Sequence, residues 1–260
     1  MITSSSSPKL KQIRQLNTKA KARRESGCFV LEGRKLFEET PEALRRGVFL
    51  SESYAAENPS LTEELAGSCD TEIVADRVFD SVCDTKTPQG ILTIAAFPHW
   101  EKEDLLGCTA PLIVVLENVQ DPGNVGTIIR TAEGAGATGV ILLGACADIF
   151  SPKVIRATMG SVFRVPVCRM EEISGAVRFL RDCGVRTFAS HLMGENEYTE
   201  ESYSGGSAFL IGNEGNGLSD ELSHAADTRI RIPMAGRVES LNASVAASLL
   251  MYEARRQRHS

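Results

Sequence analysis

Phe209-Leu210-Ile211-Gly212-Asn213-Glu214-Gly215-Asn216-Gly217-Leu218 is an apolar run that ends in three glycines within six positions. The run reads as a β-strand. The glycines read as a loop that brings backbone close to a ligand, since a residue without Cβ takes positive φ freely and leaves its N–H and C=O uncovered. A simple turn needs one or two such residues. Two other segments follow the same plan. Upstream, Pro111–Leu116 is an unbroken apolar strand of the kind buried on both faces. It runs into Glu117-Asn118-Val119-Gln120-Asp121-Pro122-Gly123-Asn124-Val125-Gly126-Thr127-Ile128-Ile129-Arg130. Downstream, the strand-like Thr228–Ile232 runs into Pro233-Met234-Ala235-Gly236-Arg237-Val238-Glu239-Ser240-Leu241-Asn242-Ala243-Ser244. Strand, polar loop, then helix is where an open α/β sheet presents backbone to a ligand.

Around these segments, strands at Val140–Leu143 and Val185–Ser190 alternate with helices at Val125–Gly136, Pro152–Thr158, Ile173–Cys183 and Asn242–Arg256. The expectation is an α/β domain with a parallel sheet over residues 111–260. Asn124 is expected to cap its helix, with Arg130 nearly two turns later. Gly134–Gly139 spells G-x-G-x-x-G, but helix precedes it and strand follows, the reverse of a dinucleotide site. The first 97 residues read as a smaller α/β sandwich. It has helices at Pro8–Arg24, Arg34–Arg46, 59–66 and 76–83, and strands at Cys28–Gly33, Val48–Leu50, 72–74 and 90–96. Residues 98–110 read as a linker and residues 1–7 as disordered.

The chain has 260 residues, 42% hydrophobic and 24% charged, as in ordinary globular proteins. No apolar run reaches the roughly 18 residues needed to span a bilayer. The first residues are polar and Ser-rich, so a cytoplasmic protein is expected, with no membrane partner. Seven cysteines without Cys-x-x-Cys spacing suggest free, mostly buried thiols in a reducing compartment. Four scattered His argue against a metal. Net charge is −6, yet the distribution is uneven. Lys9, Lys11, Arg14, Lys19, Lys21, Arg23 and Arg24 face one acid, Glu25, before residue 26. Such a tract can hold phosphate locally. Lys153 and Arg156, three apart on one helix, suit the same purpose.

In order and spelling, the three loop segments resemble the SpoU family of RNA ribose 2′-O-methyltransferases, within the SPOUT superfamily. The resemblance covers about residues 111–256. It implies a sheet end tied in a trefoil knot, a homodimer, and S-adenosylmethionine as methyl donor. By the same resemblance Arg130, Asn124, Glu214, Ser240 and Asn242 match active-site positions. Leu210, Ile211, Gly212, Gly217, Ile232, Pro233, Met234, Leu241 and Asn242 match the cofactor-binding segments. The phrases Phe29–Leu36 and Gln89–Leu92 look like the ribosomal-protein-like substrate-binding domain that precedes SpoU catalytic domains. The RNA grip then falls to Lys9, Lys11, Arg14, Lys19, Arg23, Arg24, Lys153 and Arg156. Ribosomal RNA of the large subunit is favoured over transfer RNA, and DNA is not expected. The alternatives are a transfer-RNA 2′-O-methyltransferase and a non-catalytic ribosome-assembly factor of the same fold.

Overall fold

The computed structural model describes residues 1–259, so Ser260 lies outside it. The chain forms two compact units. One is Met1–His99 with Asp148–Phe163; the other is Trp100–Ala147 with Arg164 onward.

In the first unit the elements run α1 (Pro8–Thr18), α2 (Ala20–Ser26), β1 (Cys28–Glu32), α3 (Arg34–Glu39), β2 (Arg45–Ser51), α4 (Glu52–Glu57), α5 (Pro59–Ser68), β3 (Thr71–Val74), α6 (Asp76–Asp80) and β4 (Ile91–Ala96). The sheet order is β1-β4-β2-β3; β4 is antiparallel to both neighbours and β3 parallel to β2. The helix expected over Pro8–Arg24 is two helices, because Lys19 is extended at φ −122° and ψ 111°. The helix expected over Arg34–Arg46 stops at Glu39. Pro41 pushes Thr40 out of the helical region (φ −79°, ψ 118°), and Arg45 and Arg46 join β2. The stretch expected as disordered is tied down at Ile2. Its N–H donates to the Ile73 carbonyl at 2.7 Å, and its own carbonyl accepts from Ala75 N at 3.0 Å, adding a rung beside β3.

The second unit opens earlier than expected. Within the stretch read as a linker, Lys102–Leu106 forms a 3-10 turn, closed by reciprocal bonds between Glu101 and Asp104. Leu105 is fully buried in the core of this unit. A Cβ on Gly139 would overlap the Leu105 side chain, so that glycine serves packing. The elements that follow are β5 (Leu112–Glu117), α7 (Pro122–Ala135) and β6 (Gly139–Leu143). The chain then returns to the first unit. There α8 (Pro152–Thr158) and a turn at Ser161–Phe163 pack Ile155, Val162 and Phe163 on Phe29, Leu31 and Leu36. Ser151 stands at the N-cap of α8 but makes no capping bond. The second unit resumes with β7 (Val167–Met170), α9 (Ile173–Asp182), β8 (Arg186–Ser190), β9 (Asn196–Glu197), β10 (Ser207–Ile211), α10 (Asp220–Ala225), β11 (Thr228–Arg231) and α11 (Ala243–Arg258). β7, the short β9 and α10 were not expected. All seven strands are parallel, in the order β7-β6-β5-β10-β8-β11-β9.

Alternate residues of the central strands face opposite ways. Ile113, Val115, Ile141, Ala208 and Leu210 pack with α9 and α10. On α7, Val125, Ile128, Ile129 and Ala132 are fully buried, as are Ala247, Leu250 and Met251 on α11. The two helices touch where Ser248 reaches Thr131. Gly136 ends α7 in the left-handed region (φ 76°), and β6 follows; helix before strand is the order the sequence implied for Gly134–Gly139.

Arg23, expected to meet RNA, is a structural residue. It is 5% exposed; its guanidinium donates to Asp148 at 2.7 Å and to the Leu16 carbonyl, all within the first unit. Arg23→Ala is expected to destabilise that unit by about 2–3 kcal/mol, below the range for a fully buried pair because Asp148 keeps some water. Urea unfolding measures it.

All seven cysteines are free, but the expected burial holds only in part: Cys108 and Cys183 are exposed. Burial pushes the Cys168 thiol up to about 11, with Asp104, Glu101 and Glu103 adding to the effect. At pH 8 it stays protonated and unreactive. A thiol reagent should count two fast cysteines in the native protein and seven after unfolding.

Candidate functional site

The polar loops gather at the carboxyl ends of β5, β8, β10 and β11 in the second unit. After β10 the chain folds back on itself. Asn213 N donates to the Gly217 carbonyl at 3.0 Å and Gly217 N to the Asn213 carbonyl at 2.9 Å. A Cβ on Gly212 would overlap the backbone of Gly217 and Leu218, and Gly217 sits at φ 69°. These two glycines therefore permit the crossing, one by lacking volume and one by its left-handed backbone. The far end of the loop is held by Glu117, buried at the end of β5. Its carboxylate accepts from Ser219 N at 2.7 Å and Ser219 Oγ at 2.6 Å. Ser219 in turn caps α10 by accepting from Leu222 N at 3.1 Å.

Four asparagines bind these loops together. Asn213 Oδ1 accepts from Gly215 N and Asn216 N, and its Nδ2 donates to the Asn118 carbonyl at 2.9 Å. Asn118, at φ 54°, accepts at Oδ1 from Ala145 N at 2.8 Å. Asn242 Oδ1 accepts from Ser244 N at 2.9 Å, Ser244 Oγ at 2.7 Å and Val245 N at 3.3 Å, capping α11. Its Nδ2 donates to Asn124 Oδ1 at 2.9 Å. Asn124 Nδ2 donates to Glu214 Oε1 at 2.6 Å. Asn124 is not the helix cap that the sequence suggested. Asp121 takes that place and accepts from Asn124 N at 2.9 Å, because Pro122 starts the helix three residues earlier than expected. The Asn124 side chain is thus freed to join the loops, and it is buried.

Beside this network lies a cleft of about 330 Å³. Of the residues expected to hold a cofactor, Ile211, Gly212, Gly217, Ile232, Met234 and Leu241 line it. Of the expected catalytic residues, Glu214 and Ser240 do. Leu210 does not: it is fully buried in the core on the α9 side, since its neighbour Ile211 takes the other face. Pro233 and Asn242 are also outside the wall, and Asn242 acts from behind as helix cap and donor to Asn124. Arg130 is exposed on α7, apart from the wall, and makes no hydrogen bond or ion pair among the described residues.

The sequence reading missed the loop after β8. Ser190, His191, Leu192 and Met193 line the cleft, with Leu192 61% and Met193 80% exposed. His191 Nδ1 accepts from Met193 N at 3.1 Å and shapes that turn. Glu239, Ala243 and Ala246 also line the wall. Adjacent exposed apolar residues at the end of a parallel strand were the available signal.

The basic tract of the first unit is divided. Lys9 is paired with Asp70 at 2.9 Å and Glu72 at 2.7 Å, and Arg14 donates to the Ser5 carbonyl at 2.7 Å. Arg156 is paired with Asp84 at 2.5 Å. Lys11, Lys19, Arg24 and Lys153 are exposed. Among the described residues no group of His, Cys, Asp and Glu could hold a metal ion, and no helix is long and apolar enough to cross a membrane.

Residues 111–252 match the family model described as the SpoU rRNA Methylase family, and residues 7–93 match an MRM3-like substrate binding domain. The chain belongs to the SpoU rRNA methylase family. Within that family it is 35% identical, over 98% of both chains, to the 23S rRNA (guanosine(2553)-2′-O)-methyltransferase RlmP of Bacillus subtilis. An AdoMet-bound rRNA methyltransferase from Sinorhizobium meliloti shares the fold with a TM-score of 0.87 and 35% identity, over 98% of this chain and 97% of that one. The SpoU methyltransferase AviRb of Streptomyces viridochromogenes, in complex with AdoMet, gives a TM-score of 0.86 at 26% identity, over 98% and 99%.

Gly212→Ala is expected to force the loop after β10 open, at a cost of about 1–3 kcal/mol for overpacking against rigid backbone. A lowered unfolding midpoint and changed amide signals from Asn213 to Leu218 would register it. An unchanged loop would show that the crossing tolerates a side chain.

Proposed function

We propose that this chain binds S-adenosylmethionine in the cleft and methylates a ribose 2′-oxygen of large-subunit ribosomal RNA. The observation that carries the reading is the cleft itself, at the ends of four parallel strands and joined to the asparagine network. Its volume falls at the small end of ligand sites. Its lining suits the cofactor: glycine backbone for an adenine edge and ribose hydroxyls, apolar Ile211, Ile232 and Leu241 for a ring face, and the carboxylates Glu214 and Glu239 for cationic groups. RlmP, named for 2′-O-methylation of 23S rRNA, and two relatives solved with AdoMet support it further.

When bound, the cofactor supplies a methyl group already activated by its sulfonium. The protein's task is then to align a weakly acidic hydroxyl and strengthen its oxygen as a nucleophile. Ile211, Gly212, Gly217, Ile232, Met234 and Leu241 would hold the cofactor, which would give its methyl group to the ribose oxygen, while the hydroxyl proton would pass to a nearby acceptor. Glu214 is the carboxylate of the asparagine network on the cleft wall, placed to draw on that proton or to hold the arginine that does not. The Arg130 guanidinium offsets the developing alkoxide. Ser240 orients the ribose.

Arg130 lies off the wall of its own chain, and α11 exposes Val245, Leu249 and Tyr252 beside α7. A homodimer that covers this face would also set Arg130 in a completed site. The first unit would grip RNA through Lys11, Lys19, Arg24 and Lys153, by phosphate and shape more than sequence. The setting is the cytoplasm. Transfer RNA is the second reading, since some relatives carry the broader name of tRNA/rRNA methyltransferase.

The test is transfer of labelled methyl from S-adenosylmethionine to undermodified ribosomal RNA and, separately, to transfer RNA. Label at a ribose 2′-oxygen of ribosomal RNA is expected, and Arg130→Ala should lower turnover by about 100-fold or more, in the range of a lost transition-state donor. Label in transfer RNA alone would reverse the substrate choice. Cofactor binding without any methyl transfer would support a non-catalytic role.

A further inference from the structure

We propose that Asn242 is a positioning residue: by capping α11 it fixes the direction of an amide relay that holds Glu214 as an acceptor-only carboxylate toward the cleft. The proposal rests on the methyltransferase reading for its consequence, but its geometry stands apart from that reading.

An asparagine amide has one acceptor end and one donor end, and rotation by half a turn exchanges them. Asn242 has no such choice. Its Oδ1 accepts from Ser244 N, Ser244 Oγ and Val245 N. Turning the amide would set its NH2 against two backbone N–H groups at the helix start and would remove the cap. Nδ2 must therefore point outward, where it meets Asn124 Oδ1 at 2.9 Å. That bond occupies the acceptor end of Asn124 and leaves its Nδ2 to donate to Glu214 Oε1 at 2.6 Å. The second carboxylate oxygen is treated alike. It faces Asn213 Nδ2 at 3.4 Å, and Asn213 is held in place by Gly215 N and Asn216 N on its Oδ1.

Both oxygens of Glu214 thus face N–H donors whose direction backbone groups dictate. A proton on Oε1 would point at the Asn124 NH2. Asn124 is buried, so it has little water to replace a lost partner. The lone pairs that the network does not use remain available on the cleft side. A helix cap on one element thereby sets the hydrogen-bonding character of a side chain on another, through one intermediate amide.

Asn242→Asp separates the two duties of this residue. Aspartate caps a helix as well as asparagine, but it places an oxygen where Nδ2 had been. Asn124 is then expected to turn, donate to Asp at position 242, and present Oδ1 to Glu214, which loses its donor. The expected result is a fall in kcat of ten- to a hundred-fold, with the KM for S-adenosylmethionine within about three-fold and the unfolding midpoint nearly unchanged. Adding Glu214→Gln to Asn242→Asp rebuilds the relay in reverse, with the glutamine donating to Asn124. That double variant should be as stable as the wild type and still slow. The Asn124 side-chain amide signal, followed by NMR in 15N-labelled protein, reads the direction without any activity. It should move upfield on Glu214→Gln in the wild-type background, where Nδ2 exchanges a carboxylate acceptor for a neutral one, and downfield on the same change when Asn242→Asp is present, where the glutamine newly donates to Oδ1. Full kcat in Asn242→Asp, or kcat restored in the double variant, would overturn the proposal. An Asn124 signal that moves in the same direction on Glu214→Gln in both backgrounds would overturn it on structural grounds. If the wild type transfers no methyl group, the function reading fails while the NMR result still decides the relay.

Discussion

Backbone N–H groups in irregular segments at the edge of a buried sheet must find acceptors, and this need organises the second unit. Parallel strands buried on both faces end in loops that cannot continue the ladder, and an unsatisfied buried donor is costly. Here the acceptors are side chains of the loops themselves. Asn118, Asn213 and Asn242 each take up backbone N–H groups with Oδ1, and Glu117 does so for Ser219. An asparagine that accepts locally has two donors left over. Asn213 and Asn242 spend theirs on the neighbouring segments, at Asn118 and Asn124. The same atoms that satisfy each loop therefore stitch the loops together. This explains why these segments are rich in Asn and not in Ser, whose hydroxyl offers one donor only.

The glycines supply what side chains cannot. The loop after β10 must pass against its own start, and Gly212 leaves room for Gly217 and Leu218. Once that crossing is made, Glu214 is carried to the cleft wall with one oxygen against Asn124. Close backbone approach and the placement of a carboxylate are two results of one constraint. Because the loop is pinned at Asn213 and again at Ser219, the cleft is formed by the fold itself. Such pre-organisation is what an alignment-dependent reaction requires.

Much of this was legible in the sequence, and the failures have physical causes. The apolar Pro111–Leu116 could hardly be anything but a buried strand, and the strand-loop-helix plan marked the segments, while the resemblance to the SpoU family singled out Ile211, Gly212, Glu214, Ser240 and Leu241, which line the cleft. Asn124 was misread as a cap because Asp121, also a good capping residue, lies just ahead of Pro122 and wins the place. Leu210 came with its segment in the family resemblance, and the alternation of the strand turns it to the core while Ile211 takes the cleft side. The loop from His191 to Met193 carries no glycine or charge cluster before Gly194 and gave no motif to follow. Segment 148–163 sits in sequence amid the catalytic half yet packs with the first unit, a tertiary choice made by Ile155, Val162 and Phe163 that local pattern does not reveal. The linker reading failed at Leu105, one buried residue in an otherwise acidic stretch.

The charge balance also becomes intelligible once contacts are known. A net charge of −6 sits awkwardly with an RNA substrate. Yet several acids of the first unit are already engaged by bases of the same unit: Asp70 and Glu72 by Lys9, Asp148 by Arg23, Asp84 by Arg156. Each such pair removes a base from the surface that the sequence had credited to RNA, and removes an acid that would have repelled it. The exposed Lys11, Lys19 and Arg24 lie on α1, the Lys19 break and α2, and only short runs of chain separate them. With a screening length of about 8 Å at physiological salt, a phosphate near these residues responds to them far more than to acids farther along the chain. The sign of the whole chain is therefore a poor guide to binding; what counts is which charges remain after the fold has used the others.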